Sequence, residues 1–393
     1  MIFPRKIEKE LKKQLDSKEI IILTGMRRTG KTTLMTRIFD AVSSKNKIFL
    51  DLENPLNRRI FEETNYDNIW KNFERMGLSN QGKMYVFLDE IQLMKDVPSA
   101  IKYLYDHYDI KFFLTGSSSY YLKNLFSESL AGRKFIFELY PLDFEEYLIF
   151  QGKERKFFPD FKGKDVKKSE IDFGIYEKYY DDYLEFGGFP RVVLEKDPGQ
   201  KKKALNDIFA SYFEKDVKAL ADFRNINKLR DFIILLAART GSKIEISKIS
   251  SELGVSRETV YGYLSFLENT YFIFLVRPFS RNADREVSGA RKIYFCDTGI
   301  LNILDQISTG AILENAVMRA LKNYGKINYY QRRTGVEIDF VLNEKIGFEI
   351  KNQASIFDIR KLSKLSQKVR LEESYVISKK YIREKGVILA MDV

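Results

Sequence analysis

Gly25-Met26-Arg27-Arg28-Thr29-Gly30-Lys31-Thr32 is the stretch that decides how the first part of this 393-residue chain folds. An apolar run, Ile20 to Thr24, precedes it, and Leu34, Met35, Ile38 and Val42 follow on one helical face. Strand, G-x4-G-K-T loop and helix in that order form the context in which backbone amides wrap a β-phosphate. Glycines let the backbone curl without Cβ clashes, and the helix N-terminus adds partial positive charge. In such a loop Lys31 reaches the β- and γ-phosphates and Thr32 offers its hydroxyl to Mg²⁺. The expected ligand is therefore ATP with Mg²⁺, lined by Gly25, Arg28, Thr29, Gly30, Lys31, Thr32 and Thr33.

Working outward, Met84-Tyr85-Val86-Phe87-Leu88-Asp89-Glu90 reads as a buried strand with two acids at its carboxyl end, where ligands of α/β sheets bind. Asp89 is suited to the Mg²⁺ shell and Glu90 to polarising the attacking water. Leu114-Thr115-Gly116-Ser117-Ser118 ends another strand in hydroxyl residues. Ser117 is the choice for the γ-phosphate or its water, with a plain strand-ending turn as the alternative. Arg133, just before a last strand, is either a surface arginine or one offered to a neighbouring subunit's γ-phosphate.

Apolar β-rich runs at Ile20 to Thr24, Ile48 to Leu52, Met84 to Leu88, Lys111 to Thr115 and Lys134 to Leu139 alternate with helical patterns. That alternation predicts an α/β fold with a parallel sheet over residues 1–150. Gln151 to Glu170 is charged and reads as a linker or insertion. A Tyr-rich helical pattern follows and stops at Gly187-Gly188-Phe189-Pro190, so 151–200 is expected to be linker and helical lid. A helical stretch then runs to about Asn269, and a strand-rich α/β segment closes the chain.

Composition narrows the chemistry. The single cysteine, Cys296, excludes an intramolecular disulfide, and with one histidine, His107, no zinc finger or papain-like pair can be built. Chemistry must run on carboxylates, Lys, Arg, Ser and Thr with a hard cation. Lysine and arginine total 66 against 55 acids, a net charge of +11 that suits nucleic acid binding or simply a solvated surface. The N-terminus has no apolar signal core, and no apolar run approaches the roughly 18 residues of a membrane span, so a cytoplasmic protein without membrane contact is expected.

Ile246 to Val260 reads as helix, tight turn, helix, with Gly254 in the turn and Ser256 capping the second helix. The β-rich run Phe272 to Val276 then suggests the wing of a winged-helix domain over 201–285. If the second helix reads DNA, Ser256, Arg257 and Tyr261 are its exposed candidates; a lid or protein interface is the alternative. Over 286–393, Glu314 lies in a helical pattern, Asp339 in an alternating strand, and Glu349 and Lys351 on one face of another. Converged, the four can hold Mg²⁺ and orient a water for phosphodiester attack, or form a salt-bridged pair without catalysis.

The first two hundred residues resemble a prokaryotic AAA+-type ATPase. The resemblance rests on Arg27-Arg28-Thr29-Gly30-Lys31-Thr32-Thr33, Leu88-Asp89-Glu90-Ile91-Gln92, Thr115-Gly116-Ser117-Ser118, Ser129-Leu130-Ala131-Gly132-Arg133 and Pro141-Leu142-Asp143-Phe144-Glu145-Glu146. It implies a P-loop sheet of order 5-1-4-3-2, Arg133 as a candidate arginine finger, and a homo-oligomer. Gly187-Gly188-Phe189-Pro190 is similar to the Gly-x-Pro element that places a proline, here Pro190, near adenine. The second half resembles the C-terminal domain of unknown function that accompanies this ATPase family, including Tyr294-Phe295-Cys296-Asp297-Thr298-Gly299 and Leu313-Glu314-Asn315. Its strand pair is similar to a PD-(D/E)xK nuclease core, with Ile338 where that motif has proline. Two functions follow: a DNA-processing ATPase, or a signalling or scaffold NTPase whose tail binds a protein.

Overall fold

The computed structural model describes residues 3–94, 96–117, 132–218, 226–332 and 334–393, apart from the side chains of residues 283 and 285. Ser118 and residues 129–131 lie outside the described residues. The chain divides into two compact units. Unit 1 comprises residues 1–140 with the returning segments 211–221 and 269–271, and unit 2 the remainder.

Unit 1 is built on five strands, β1 (Ile20–Thr24), β2 (Lys47–Asp51), β3 (Met84–Asp89), β4 (Ile110–Gly116) and β5 (Lys134–Glu138). They form one sheet of order β2-β3-β4-β1-β5, the 5-1-4-3-2 order expected, and every pair is parallel. A parallel sheet is covered on both faces, so its strands read as continuous apolar runs. Alternation still sorts the residues. Ile20 and Ile22 join Val86, Leu88, Phe112 and Leu114 in one core under helices Tyr66–Arg75 and Val97–His107. Ile21 and Leu23 join Phe87 and Phe113 in the other, against Leu34, Met35 and Ile38 of helix Lys31–Ala41. Each such side chain contributes roughly 1.5–3 kcal/mol relative to exposure. The sheet edge that carries the ends of β1, β3 and β4 is thereby rigid.

Unit 2 carries a sheet of seven strands, order β12-β11-β10-β9-β8-β6-β7. They are β6 (Ile273–Pro278), β7 (Lys292–Phe295), β8 (Ile327–Gln331), β9 (Glu337–Leu342), β10 (Ile346–Lys351), β11 (Glu373–Ser378) and β12 (Val387–Leu389). β9 and β10 are an antiparallel hairpin, while β10 and β11 are parallel across helix Ile356–Val369. Val341, Leu362, Leu365, Val376 and Val387 fill the core between that helix and the sheet. β6 and β7, which flank residue 285, pair with each other and belong to this same sheet.

Helices Ile246–Leu253 and Arg257–Asn269 are joined through Gly254 at φ 62°, and Val255 N donates to Ser250 O, closing the first helix. Ser256 Oγ accepts Thr259 N at 3.1 Å and so caps the second. Ile249, Leu253, Val260, Leu264 and Leu267 form the buried face of the pair. Residues 151–170, whose charge suggests a linker, pack into unit 2. Arg155 pairs with Asp172 and Asp392, and helix Phe161–Val166 places Phe161 5.0 Å from the Phe348 ring.

Candidate nucleotide site and a second acidic cluster

The loop Gly25 to Gly30 leaves β1 and enters helix Lys31–Ala41 with Gly30 at φ 95° and Arg28 at φ 66°. Gly25 is required for space as well as conformation. Its φ is 149°, and a Cβ there would lie 2.0 Å from the Leu139 carbonyl oxygen. Thr29, buried, donates to Met26 O at 2.9 Å, and Arg5 clamps the loop from outside by donating to Thr29 O at 2.9 Å and Tyr140 O at 2.8 Å. Lys31 Nζ donates to Gly25 O at 2.8 Å and Met26 O at 3.0 Å, so the ammonium lies in the concavity of the loop. Burial pulls its pKa down, against the opposing pull of Glu90, Asp216 and Asp89. Thr32, Thr33 and Arg28 are exposed around the rim.

Asp89 ends β3 and is nearly buried. Thr32 Oγ1 donates to its Oδ2 at 2.6 Å, and Thr115 Oγ1 donates to its Oδ1. Burial raises the Asp89 pKa, and the two hydroxyls partly offset this. Glu90 follows at φ 58° and ψ 45°, a left-handed conformation uncommon for a glutamate and held by a bond from its N–H to Thr115 Oγ1 at 3.1 Å. Gln92 Nε2 donates both to Glu90 Oε2 and, at 3.1 Å, to Ser117 Oγ. The ends of β1, β3 and β4 thus bring Lys31, Thr32, Asp89, Glu90 and Ser117 together, as the sequence predicts.

Two participants were not legible in the sequence. Arg27 stands between acids, with Nη1 3.6 Å from Glu90 and 3.9 Å from Glu53 and Nε 3.1 Å from Asp216. Asp216 arrives on the π-helical turn Tyr212–Val217, in the segment that returns to unit 1, and its Oδ1 accepts Ser117 Oγ at 2.8 Å. No motif surrounds Asp216, and only a fold that returns to unit 1 could reveal it.

Arg133 lies elsewhere. Its carbonyl accepts Ile20 N at 2.8 Å, so it sits at the entry of β1 and β5, a strand length of roughly 15 Å from the loop end. Its side chain is partly exposed and pairs with Asp106 at 3.3 Å. Pro190 opens helix Pro190–Leu194 in unit 2. The adjacent glycines have a packing role there: Gly188 N donates to Asp297 Oδ2 at 2.7 Å, and a Cβ on Gly188 would stand 2.1 Å from Leu142 O.

In unit 2 the antiparallel register sets Phe340 opposite Phe348, which puts Asp339 across from Glu349. Asp339 Oδ2 accepts Ile350 N at 2.7 Å, and Lys351 Nζ donates to Glu349 Oε1 at 2.8 Å. Glu314, on helix Thr309–Leu321, accepts Tyr294 OH at 2.6 Å and lies 3.8 Å from Lys292, which is itself 3.6 Å from Glu337. The four residues singled out in the sequence therefore converge, joined by Lys292, Tyr294 and Glu337. The alternating patterns of β7 and β9 put these three on the sheet, but nothing local marked them as partners. Burial first, then Glu349 and Glu314, push the Asp339 pKa up to about 8. Glu314 is raised by burial against the pull of Lys292 and Tyr294. Burial lowers Lys351, but its pair with Glu349 outweighs this and the net shift is upward.

Ser256 and Arg257 are exposed at the start of helix Arg257–Asn269, and Tyr261 is exposed one turn on. No described helix is long and apolar enough to cross a membrane.

Residues 17–148 match the profile of an AAA domain. Residues 177–311 and 309–388 match two domains of unknown function, DUF8612 and DUF4143. The chain is similar to uncharacterized protein MJ1544 of Methanocaldococcus jannaschii, 29% identical over 350 residues, covering 86% of this chain and 75% of that protein. An uncharacterized protein of Haemophilus influenzae is 25% identical over 295 residues, covering 72% and 69%. Among solved structures, the Walker-type ATPase PABY2304 of Pyrococcus abyssi aligns with a TM-score of 0.48 and 18% identity, covering 77% of this chain and 96% of that one. The Aeropyrum pernix ORC1 protein, solved in complex with DNA, aligns with a TM-score of 0.33 and 13% identity over 82% and 94%.

Proposed function

We propose that the protein binds ATP with Mg²⁺ on the loop Gly25 to Thr32 and hydrolyses it. The observation that carries this reading is the 2.6 Å contact between Thr32 Oγ1 and Asp89 Oδ2 beside the loop that encloses Lys31. Among the described residues no group of three His, Cys, Asp or Glu side chains is arranged to hold a metal. A Mg²⁺ bound by one or two carboxylates and by substrate phosphates needs no such group, and a hydroxyl paired with a buried carboxylate fits that demand. Thr32 and Asp89 would hold the ion, which would neutralise charge on the β- and γ-phosphates. Lys31 and the loop amides bind the phosphates, Glu90 polarises the water, and Ser117 orients the γ-phosphate or that water.

Arg133, remote from its own loop, is then a group for the γ-phosphate of a neighbouring copy in a homo-oligomer. Mixing Arg133→Ala with Glu90→Gln subunits should restore turnover that each lacks alone, and no recovery would remove Arg133 from the site. For hydrolysis itself, Lys31→Ala should abolish turnover. Glu90→Gln should keep ATP binding and lose on the order of 100-fold or more in turnover. Retained hydrolysis in either variant overturns the assignment.

A second reading concerns unit 2: a winged-helix element that contacts DNA through Ser256, Arg257 and Tyr261, and a metal-dependent nuclease centred on Glu314, Asp339, Glu349 and Lys351, whose three acids would have to draw closer around a metal than they stand in this structure. The cross-strand Asp339–Glu349 pair beside Lys351 supports it, as does the net charge of +11. Salt-dependent DNA binding with DNA-stimulated hydrolysis, and cleavage in Mg²⁺ or Mn²⁺ lost in Asp339→Ala, would bear it out. Intact duplex, single-stranded and branched substrates would leave unit 2 as a binding module of a signalling or scaffold NTPase.

A further inference from the structure

Asp216 is an expensive residue to place where it stands. It is 1% exposed, and isolating a carboxylate from water costs several kcal/mol unless charges and donors compensate. Tyr212 and Val217, both buried, would anchor the turn without it, and Tyr212 OH is fixed to Thr270 Oγ1 at 2.7 Å within unit 1. The turn is π-helical, a geometry found mostly as single insertions and frequently at functional sites.

Its contacts close a ring around the end of the nucleotide site. Asp216 Oδ1 accepts Ser117 Oγ at 2.8 Å; Ser117 Oγ accepts Gln92 Nε2 at 3.1 Å; Gln92 also donates to Glu90. From Glu90 the ring returns through Arg27, at 3.6 Å, to Asp216 at 3.1 Å. Neither Arg27 Nε nor Asp216 Oδ2 makes an aligned hydrogen bond, so this link is a charge contact whose geometry can be re-aimed. Arg27 is shared among three acids, of which Glu90 and Asp216 belong to the ring. With Asp216 ionised, the guanidinium is drawn away from Glu90. Without that charge it would settle on Glu90 and weaken it as a base, while Ser117 would keep only a weaker, neutral acceptor.

We propose that Asp216 is a positioning residue for ATP hydrolysis, which holds Ser117 and, through Arg27, keeps Glu90 competent at the γ-phosphate end of the loop. The proposal rests on the ATPase reading above. It separates turnover from binding, because Lys31 Nζ is held by Gly25 O and Met26 O and the ring meets the phosphate loop only through the Arg27 side chain.

The test is steady-state hydrolysis by the full-length protein. Asp216→Asn keeps an acceptor for Ser117 but removes the charge facing Arg27, and kcat should fall about tenfold or more while KM and the affinity for a fluorescent ATP analogue change less than about threefold. Arg27→Gln added to Asp216→Asn should cost little further, since the pair acts as a unit. A kcat within about twofold of wild type, a loss confined to KM, or losses that multiply in the double variant would overturn the proposal. If Asp216→Asn does not fold, Ser117→Ala probes the ring from its other side: kcat should fall at constant KM, and an unchanged kcat is fatal. A wild type that hydrolyses no ATP sinks the ATPase reading and this inference together. Hydrolysis abolished by Lys31→Ala but untouched by Asp216→Asn sinks this inference alone.

Discussion

Asp89 in unit 1 and Asp339 in unit 2 are nearly buried carboxylates on interior strands of two different sheets, and each has a lysine close by. They are stabilised differently. Asp89 receives two hydroxyl donors, Thr32 and Thr115, and Lys31 stands beyond them in its loop. Asp339 receives one backbone N–H and faces acids, Glu349 and Glu314, whose charge is balanced by Lys351 and Lys292. The first centre is satisfied by hydrogen bonds that a cation or phosphate can exchange. The second is held by charge balance, so its proton occupancy depends on pH. A carboxylate of the first kind is prepared for one ligand, and one of the second kind responds to any change in its neighbours.

Gly25→Ala should damage the first centre and spare the second. A Cβ 2.0 Å from Leu139 O cannot be accommodated without moving the backbone, and φ 149° is itself unfavourable for alanine. ATP affinity should fall on the order of 100-fold or more, as measured by titration with a fluorescent analogue. Amide exchange over β9 and β10 should stay unchanged, because the second centre owes nothing to that loop. Protection lost across residues 337–351 would mean the two centres are not independent.

A smaller effect of definite sign is expected at Asp339. An unfolded aspartate ionises near 3.8, whereas burial among acids raises this one to about 8. Below pH 3.8 both states are protonated and the site costs nothing. Between pH 3.8 and 8 the unfolded chain has released a proton that the folded protein retains, so stability declines as pH rises. Asp339→Asn keeps an acceptor for Ile350 N and removes the titration. It should stabilise unit 2 by on the order of 1–3 kcal/mol at pH 8 and by almost nothing near pH 3.5, read from amide exchange of β9 and β10. A variant equally stable or less stable than wild type at pH 8 would show that the lysines already compensate the charge.

The two centres were unequally legible in the sequence, for a physical reason. The loop of unit 1 is local: one strand, one turn and one helix fix Gly25, Gly30, Lys31 and Thr32 within eight residues, so spacing alone carried the chemistry. Asp89 and Ser117 were readable because parallel strands in such a sheet end on one edge. The cluster of unit 2 depends on register. Period-two alternation put Glu349 and Lys351 on one face, but Lys292 and Tyr294 enter from β7, at the far edge of the sheet order, through Glu314. Asp216 was invisible because a helical run offers no signal of which unit its end will join. Gly187-Gly188 is a strong local pattern with a packing account of its own: Asp297 and Leu142 O crowd those glycines within unit 2.

The finest test of the difference lies at Thr115, fully buried on β4. Its hydroxyl donates to Asp89 Oδ1 and accepts the N–H of Glu90, the residue held at φ 58°. Thr115→Val preserves shape and removes both bonds, which leaves a buried N–H unpaired and Asp89 dependent on Thr32 alone. The expected cost is about 1–3 kcal/mol of unit 1 stability. Trp70, the single tryptophan, is buried in unit 1 and stacked 4.5 Å from Tyr108, so its fluorescence in a urea titration reports that unit. Turnover should fall further than stability implies, because Glu90, the proposed base, is released from its left-handed conformation, whereas ATP affinity should move little. If turnover survives with Glu90 unpinned, the left-handed turn at the end of β3 serves the strand and not the reaction, and Asp89 is then no better prepared for its ligand than Asp339.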